Sequence, residues 1–99
     1  MTFSDYLIWQ PKYSQYNKLV YADNRMPDMV GPIGIASEAG ELLGIVQKAI
    51  RKDVSIDREK VVDELGDVMW YIAQTMNDYD ISEEELFKYN KRKLDERNK

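Results

Sequence analysis

Four acidic residues form two pairs with the same three-residue spacing, Glu38 with Glu41 and Glu64 with Asp67. Both pairs lie in stretches typical of helix, where a three-residue step puts both side chains on one face. Two such pairs facing each other would gather four carboxylates in a small volume. Like charges repel at that distance, and a divalent cation that prefers oxygen ligands relieves the repulsion. The spacing therefore predicts a magnesium or manganese site that serves phosphate chemistry.

Length and composition bound the architecture. A chain of 99 residues predicts a single domain over 1–99. Hydrophobic residues make up 43% of it, but charged residues reach 32%, above the average of about 25%. Such a chain has a thin core, which small helical domains often extend by pairing with a second copy. We therefore expect a homodimer or a homotetramer.

The same composition excludes several classes of function. A net charge of −4 argues against non-specific binding to nucleic acid. The chain has no Cys and no His, which removes thiolate metal sites, Cys nucleophiles and the commonest general base. With no apolar run of about 18 residues and no leader-like N-terminus, we expect no membrane association and a cytoplasmic location. If the chain is an enzyme, carboxylates and a metal-bound water must do the chemistry.

Apolar spacing predicts an all-α, four-helix-bundle-like fold without strands. Capping boxes are expected at Thr2 with Asp5 and at Ser82 with Glu85, and Ser55 or Asp57 should cap the third helix. Pro11 should kink or break the first helix. The predicted helices cover residues 2–21, 33–52, 58–79 and 83–97, with a loop over 22–32.

Two patterns predict how the helices pack. Small residues at four-residue steps on the second helix, Ala36, Gly40 and Gly44, predict close helix–helix contact. Apolar side chains on the third helix, from Val62 to Met76 at steps of three and four, predict a buried ridge.

Several side chains are candidates for nucleotide contacts. Lys48 and Lys52 share a side of the second helix with the acidic pair, an arrangement that suits a polyphosphate tail. Asn90, Lys93 and Arg97 form a polar stripe on the fourth helix that suits phosphate oxygens. Two aromatic sets could stack on a base. Each pattern alone also fits an ordinary charged surface or an aromatic core. The aromatic sets are Trp9, Tyr13 and Tyr16, or Trp70 and Tyr71.

Taken in order, these motifs resemble the MazG-like, all-α nucleoside triphosphate pyrophosphohydrolases. The resemblance covers about residues 31 to 97 and is more specific than any one motif. Ser37 departs from the family pattern, which often has a further Glu at that position. The matching segments are Gly34-Ile-Ala-Ser-Glu-Ala-Gly-Glu-Leu42, Lys48-Ala-Ile-Arg51, Glu64-Leu-Gly-Asp-Val-Met-Trp-Tyr71, and Asn90 with Lys93-Leu94 and Arg97.

The resemblance implies a helical bundle completed by dimerisation, and an enzyme that uses Mg²⁺, or Mn²⁺, to convert a (deoxy)nucleoside triphosphate to the monophosphate and pyrophosphate. Metal-activated water would attack the α-phosphorus. Two alternatives stay open: a base-specific dUTP, dCTP or phosphoribosyl-ATP pyrophosphohydrolase, and a non-catalytic helical oligomerisation module. The implied metal ligands and catalytic residues are Glu38, Glu41, Glu64 and Asp67, and the substrate contacts are Lys48, Arg51, Tyr71, Asn90, Lys93 and Arg97.

Overall fold

Two long helices, α2 (Met26–Lys52) and α3 (Arg58–Asp78), form an antiparallel hairpin at the centre of the fold. The structure is a computed structural model that describes residues 1–14 and 26–98. A short helix, α1 (Phe3–Trp9), continues into a 3-10 helix (Gln10–Tyr13), and both pack against α3. The last helix is α4 (Glu83–Arg97). The described residues contain no strand, so the all-α prediction is confirmed. The helix predicted over residues 15–21 lies outside them.

The predicted caps are present. Thr2 and Asp5 form a reciprocal capping box in which each side chain accepts a hydrogen bond from the other's backbone N–H at 3.0 Å. The Asp57 side chain caps α3, and Ser82 Oγ accepts from the Glu85 N–H at 3.1 Å to open α4. These side chains satisfy N–H groups that have no partner inside the helix. They fix where each helix begins.

Pro11 lies just past the end of α1, whereas Pro32 lies inside α2. Pro11 marks the change from α-helix to 3-10 helix, which confirms the predicted kink. The loop predicted over 22–32 is wrong from Met26 onward, because α2 begins there and Pro32 lies inside it. A proline in a helix interior costs roughly 3 kcal/mol. Packing of the same stretch against α3 through Gly31 offsets that cost.

The close contact between helices occurs at glycines other than those predicted. A Cβ added to Gly34 would overlap the Tyr71 ring, and one added to Gly31 would lie 2.9 Å from the Thr75 Cα. By contrast, nothing lies within 4 Å of a Cβ added to Gly40 or Gly44. Gly40 and Gly44 of the small-residue strip therefore pack against no other helix in the described part of the chain. The α2–α3 contact lies on the opposite side of α2.

The large apolar side chains of the hairpin consequently face outward. On α2, Leu43 is 66% exposed and Ile50 is 74% exposed. On α3, the ridge predicted to be buried is buried only at Met76, whereas Val62 and Leu65 are about half exposed. The prediction fails for the first half of that ridge. The reason is that α2 presents Gly31, Gly34 and Ala49 to α3, whereas Leu43 and Ile50 lie on its other side.

Helix α4 stands largely apart from the hairpin. It has no buried residue. Its described contacts with α1 are a stacking of Phe3 on Phe87, with ring centroids 5.6 Å apart, and a hydrogen bond from the Ser4 hydroxyl to Glu83. The radius of gyration, 16.3 Å, exceeds the value of about 13 Å for a compact domain of this length.

One stretch of helix, Met29–Lys52, is long and apolar enough to cross a membrane by length and composition alone. Only 11% of its most apolar window is buried inside the chain. Such a test is weak evidence, because a soluble helix with one apolar face also passes it. Here Glu38 interrupts the stretch and faces α3.

Replacing Gly34 should damage the hairpin more than replacing Gly40. We expect Gly34→Ala to lower the free energy of unfolding by about 2 kcal/mol relative to Gly40→Ala, because its new Cβ forces the Tyr71 ring to move. Both variants gain the same helix propensity, so the difference isolates the packing. Thermal melts followed by circular dichroism measure it. Equal melting temperatures would contradict the close contact at Gly34.

Candidate metal centre

The α2–α3 hairpin brings acidic side chains together at its centre. Glu38, Glu64 and Asp67 each offer a carboxylate oxygen, and these three oxygens lie within 4.8 Å of one another. Glu38 and Glu64 are half-buried, whereas Asp67 is exposed. They meet because Glu38 lies one helical turn beyond Gly34, where α2 packs closely against Tyr71 of α3. The structure thus joins three of the four predicted carboxylates directly.

Glu64 is the residue most affected by this crowding. Partial burial raises the pKa of its carboxyl, and the charges of Asp67, Glu38 and Glu41 raise it further, as does a hydrogen bond with Glu38. One of its oxygens, Oε2, is buried without a hydrogen-bond partner in the described part of the chain. Hard oxygen donors, crowded negative charge and an unpartnered buried oxygen fit a divalent cation such as Mg²⁺. Glu41 lies outside the closest three but within electrostatic reach of Glu64.

Two cavities flank the acidic cluster (Glu38, Glu41, Glu64 and Asp67), and their walls differ in chemistry. The aromatic cavity, of about 350 Å³, is lined by Glu38, Asp67, Trp70 and Tyr71. The Trp70 and Tyr71 rings meet edge to face with centroids 5.1 Å apart. Tyr71, a predicted substrate contact, therefore lies directly beside the carboxylates.

The second cavity, the lysine cavity, has a volume of about 390 Å³ and touches the cluster at Glu41 and Glu64. Three cations line it: Lys48 and Lys52 from α2, and Lys60 from α3. Lys48, a predicted substrate contact, thus lines the same cavity as Glu41 and Glu64. Lys60 was missed, although its position four residues before Glu64 puts both on one helix face and could have revealed it.

The other predicted contacts are not joined to the cluster within this chain. Arg51 lines a cavity on the outward face of α2, together with Leu43 and Ile50. Asn90 and Lys93 line a groove on α4 that none of the four acidic residues borders. Arg97 is exposed at the end of α4.

The N-terminal helix lies within electrostatic range of the site, which the sequence did not indicate. Burial raises the pKa of Tyr6, and the charge of Asp67 raises it further. Tyr6 packs against Trp9, with ring centroids 5.3 Å apart, and Trp9 packs against Tyr13 at 5.1 Å. These aromatic contacts lie within the N-terminal segment. Tyr16, the remaining member of that predicted set, is outside the described residues.

Comparison with known proteins agrees with this geometry. The model of the MazG nucleotide pyrophosphohydrolase domain matches residues 33–99, more than half of the chain. The chain therefore belongs to the MazG nucleotide pyrophosphohydrolase family. The match includes all four acidic residues of the cluster and both long helices from residue 33 onward.

A curated relative is the Gene 37 protein of Mycobacterium phage L5, which is 42% identical over 69 residues. The alignment covers 66% of this chain and 60% of that protein, so the chain spans about three fifths of its relative's length. The relative's name says nothing about what it acts on. No solved structure matches the chain.

The raised pKa of Glu64 predicts a pH dependence of stability. A carboxyl whose pKa is higher in the folded than in the unfolded protein favours folding when protonated, and this contribution is lost as the pH rises through the raised value. We therefore expect the free energy of unfolding of the metal-free protein to fall, relative to Glu64→Gln, as the pH rises above the ordinary value of 4.5. Urea unfolding at several pH values measures this difference.

Added magnesium should restore the free energy of unfolding that the wild type loses as the pH rises, and should have a much smaller effect on Glu64→Gln. Asp63→Asn is the matched control, since it removes a neighbouring exposed charge that is not part of the cluster. If the free energies of unfolding of the wild type and of Glu64→Gln change with pH in parallel, the crowding of carboxylates around Glu64 is contradicted.

Proposed function

We propose that this chain is a Mg²⁺-dependent nucleoside triphosphate pyrophosphohydrolase that converts (d)NTP to (d)NMP and pyrophosphate. The observation that carries the proposal is the position of the carboxylates, between an aromatic cavity and a lysine cavity. A nucleoside triphosphate has the matching parts in the same order. It carries an aromatic base at one end and a charged polyphosphate at the other.

This arrangement predicts the orientation of the bound substrate. The nucleoside end would occupy the aromatic cavity beside Trp70 and Tyr71. The outer phosphates would extend toward Lys48, Lys52 and Lys60, whose charges suit phosphate oxygens. The α-phosphate would then lie next to the acidic cluster. Cleavage between the α- and β-phosphates follows from that placement.

In the proposed reaction, Glu38, Glu64 and Asp67 would hold the cation. When bound, a divalent cation supplies a more acidic water and neutralises phosphate charge. Glu41, outside the closest three carboxylates, is placed to accept the proton of the attacking water. The water oxygen forms a bond to the α-phosphorus, the bond from that phosphorus to the bridging oxygen breaks, and pyrophosphate leaves. The three lysines stabilise charge on the leaving group.

Two alternative functions make different predictions. A base-specific enzyme for dUTP, dCTP or phosphoribosyl-ATP would use the same cluster but accept one substrate from a panel. A non-catalytic helical module would show no change in stability or nucleotide binding when Mg²⁺ is added. The unpartnered Oε2 of Glu64, beside the oxygens of Glu38 and Asp67, favours a metal-binding site over a solvated acidic groove, because a buried oxygen without a partner costs stability.

Hydrolysis in ¹⁸O-labelled water tests where the bond breaks. We expect the label in the nucleoside monophosphate, since the lysine cavity draws the outer phosphates away from the cluster. A panel of NTPs and dNTPs with Mg²⁺ finds the substrate, and mass spectrometry of the products locates the label. Asp67→Asn and Glu41→Gln should each lose at least about 100-fold in kcat while the helical circular-dichroism signal remains.

Label in pyrophosphate would instead place the attack at the β-phosphorus. Labelled orthophosphate with a diphosphate product would make the enzyme an ordinary phosphatase. Full activity in both carboxylate variants would remove the metal-site assignment.

We also propose that two copies of the chain pair through the outward faces of the α2–α3 hairpin. Leu43 and Ile50 on α2 and Leu65 on α3 are all at least half exposed. Exposed apolar patches of this kind are rare on monomeric proteins and mark interaction surfaces. A second hairpin laid on these ridges would bury them and complete a four-helix bundle. Gly40, which has open space beside it, would allow the partner helix to approach closely.

Charged substitutions on this face should therefore separate the copies. We expect Leu43→Glu and Ile50→Glu to convert a dimer, or a tetramer of dimers, into an 11.6 kDa monomer. Ile56→Glu is the matched control, since Ile56 is also exposed but lies in the loop between α2 and α3. Light scattering at micromolar concentration measures the mass. A monomeric wild type with full activity would contradict this proposal.

A further inference from the structure

The largest fully buried side chains in the described part of the chain are polar: Gln10, Ser14 and Gln74. Gln74 Oε1 accepts a hydrogen bond from Gln10 Nε2 at 2.8 Å and another from Ser14 Oγ at 2.6 Å. Gln74 Nε2 donates to the two carboxylate oxygens of Asp78 at 3.0 and 3.1 Å. The two groups of the Gln74 amide are thus both paired, which is what makes such a buried network favourable.

These bonds join the N-terminal segment, residues 1–14, to α3. Asn77 on α3 adds a further link, since its Nδ2 donates to the Leu7 carbonyl at 3.0 Å and to Gln10 Oε1 at 3.1 Å. No residue of α1 is fully buried, and Gln10 is the buried residue of the 3-10 helix. The segment therefore depends on directional hydrogen bonds for its position, more than on apolar burial.

Gln74 continues the helix face that carries the acidic pair of α3. Steps of three and four residues lead from Glu64 through Asp67 and Tyr71 to Gln74. Gln74 lies two turns from Asp67 and one turn from Tyr71, which lines the aromatic cavity. One face of α3 thus holds both the proposed reaction site and the attachment point of the N-terminal segment.

The attached segment lies outside the matched part of the chain, since the match to the MazG domain begins only at residue 33. It meets the matched region at α3, through the hydrogen bonds to Gln74 and Asn77. Tyr6 lies one turn before Gln10 and within range of the Asp67 charge, which contributes to the raised pKa of Tyr6.

We propose that Gln74 is a positioning residue: its buried amide holds the N-terminal segment against α3, one helical turn from Tyr71 of the aromatic cavity, and the segment held there contributes to nucleotide binding. This inference rests on the proposed function. Hydrogen bonds suit the role because they fix one register between the two elements, whereas apolar contacts permit sliding. The segment's effect should therefore fall on substrate binding and not on the chemical step.

The test compares Gln74→Met, which is similar in size but removes the amide, with the wild type. We expect KM for the nucleotide to rise about tenfold while kcat stays within about twofold, since binding is weakened without loss of the carboxylates. Ser14→Ala, which removes one of the hydrogen bonds, should have a smaller effect of the same kind.

Hydrogen exchange of the metal-free protein provides a second readout that needs no substrate. In Gln74→Met, amides of residues 3–13 should exchange faster, while those of α2 and α3 keep their protection. Gln10→Met combined with Gln74→Met should raise KM by less than the product of the two single effects, because the hydrogen bond between the two side chains is lost only once.

The outcomes separate this proposal from the proposed function. A wild type that hydrolyses no nucleotide overturns the function, and the exchange experiment still decides whether Gln74 anchors the segment. Unchanged exchange of residues 3–13 in Gln74→Met overturns the anchoring. Faster exchange throughout α2 and α3, or a loss in kcat with KM unchanged, shows a general structural role and also overturns it.

Discussion

The close approach of α2 to α3 determines most of the structure. Because Gly34 has no side chain, the Tyr71 ring can lie against the α2 backbone, and the two helices meet at their most crowded point. The next turn of α2 brings Glu38 to Glu64 and Asp67. Helix packing stabilises this arrangement while the repulsion between carboxylates opposes it, as the raised pKa of Glu64 records. A bound cation would turn the opposing interaction into a favourable one.

The same contact decides which faces are left uncovered. Since α2 uses Gly31, Gly34 and Ala49 on the side that faces α3, Leu43 and Ile50 lie on the other side and are exposed. The hairpin therefore combines an acidic cluster between its helices with large apolar side chains on its outer faces. Pairing with a second copy would restore the usual order, with apolar residues inside.

Local signals made much of the fold predictable. Caps at Thr2, Asp57 and Ser82 and the three- and four-residue spacing gave helix starts and the all-α class, because these depend on nearby residues. The start of α2 was predicted too late, because Pro32 and Gly31 favour loops unless tertiary contacts outweigh them. Which side of α2 packs against α3 was equally unpredictable. Both sides carry small residues, and only the three-dimensional contact distinguishes them.

The candidate site shows the same division between local and long-range information. Glu38, Glu64 and Asp67 could be found from spacing, because each pair occupies one helix face. The attachment of the N-terminal segment to α3 could not, since it depends on hydrogen bonds between residues far apart in sequence, such as Gln10 and Gln74. An apolar core would bury the same area with less demand on geometry. A polar centre that satisfies the Gln74 amide instead selects one arrangement of the N-terminal segment, and so ties the shape of the site to residues distant in sequence.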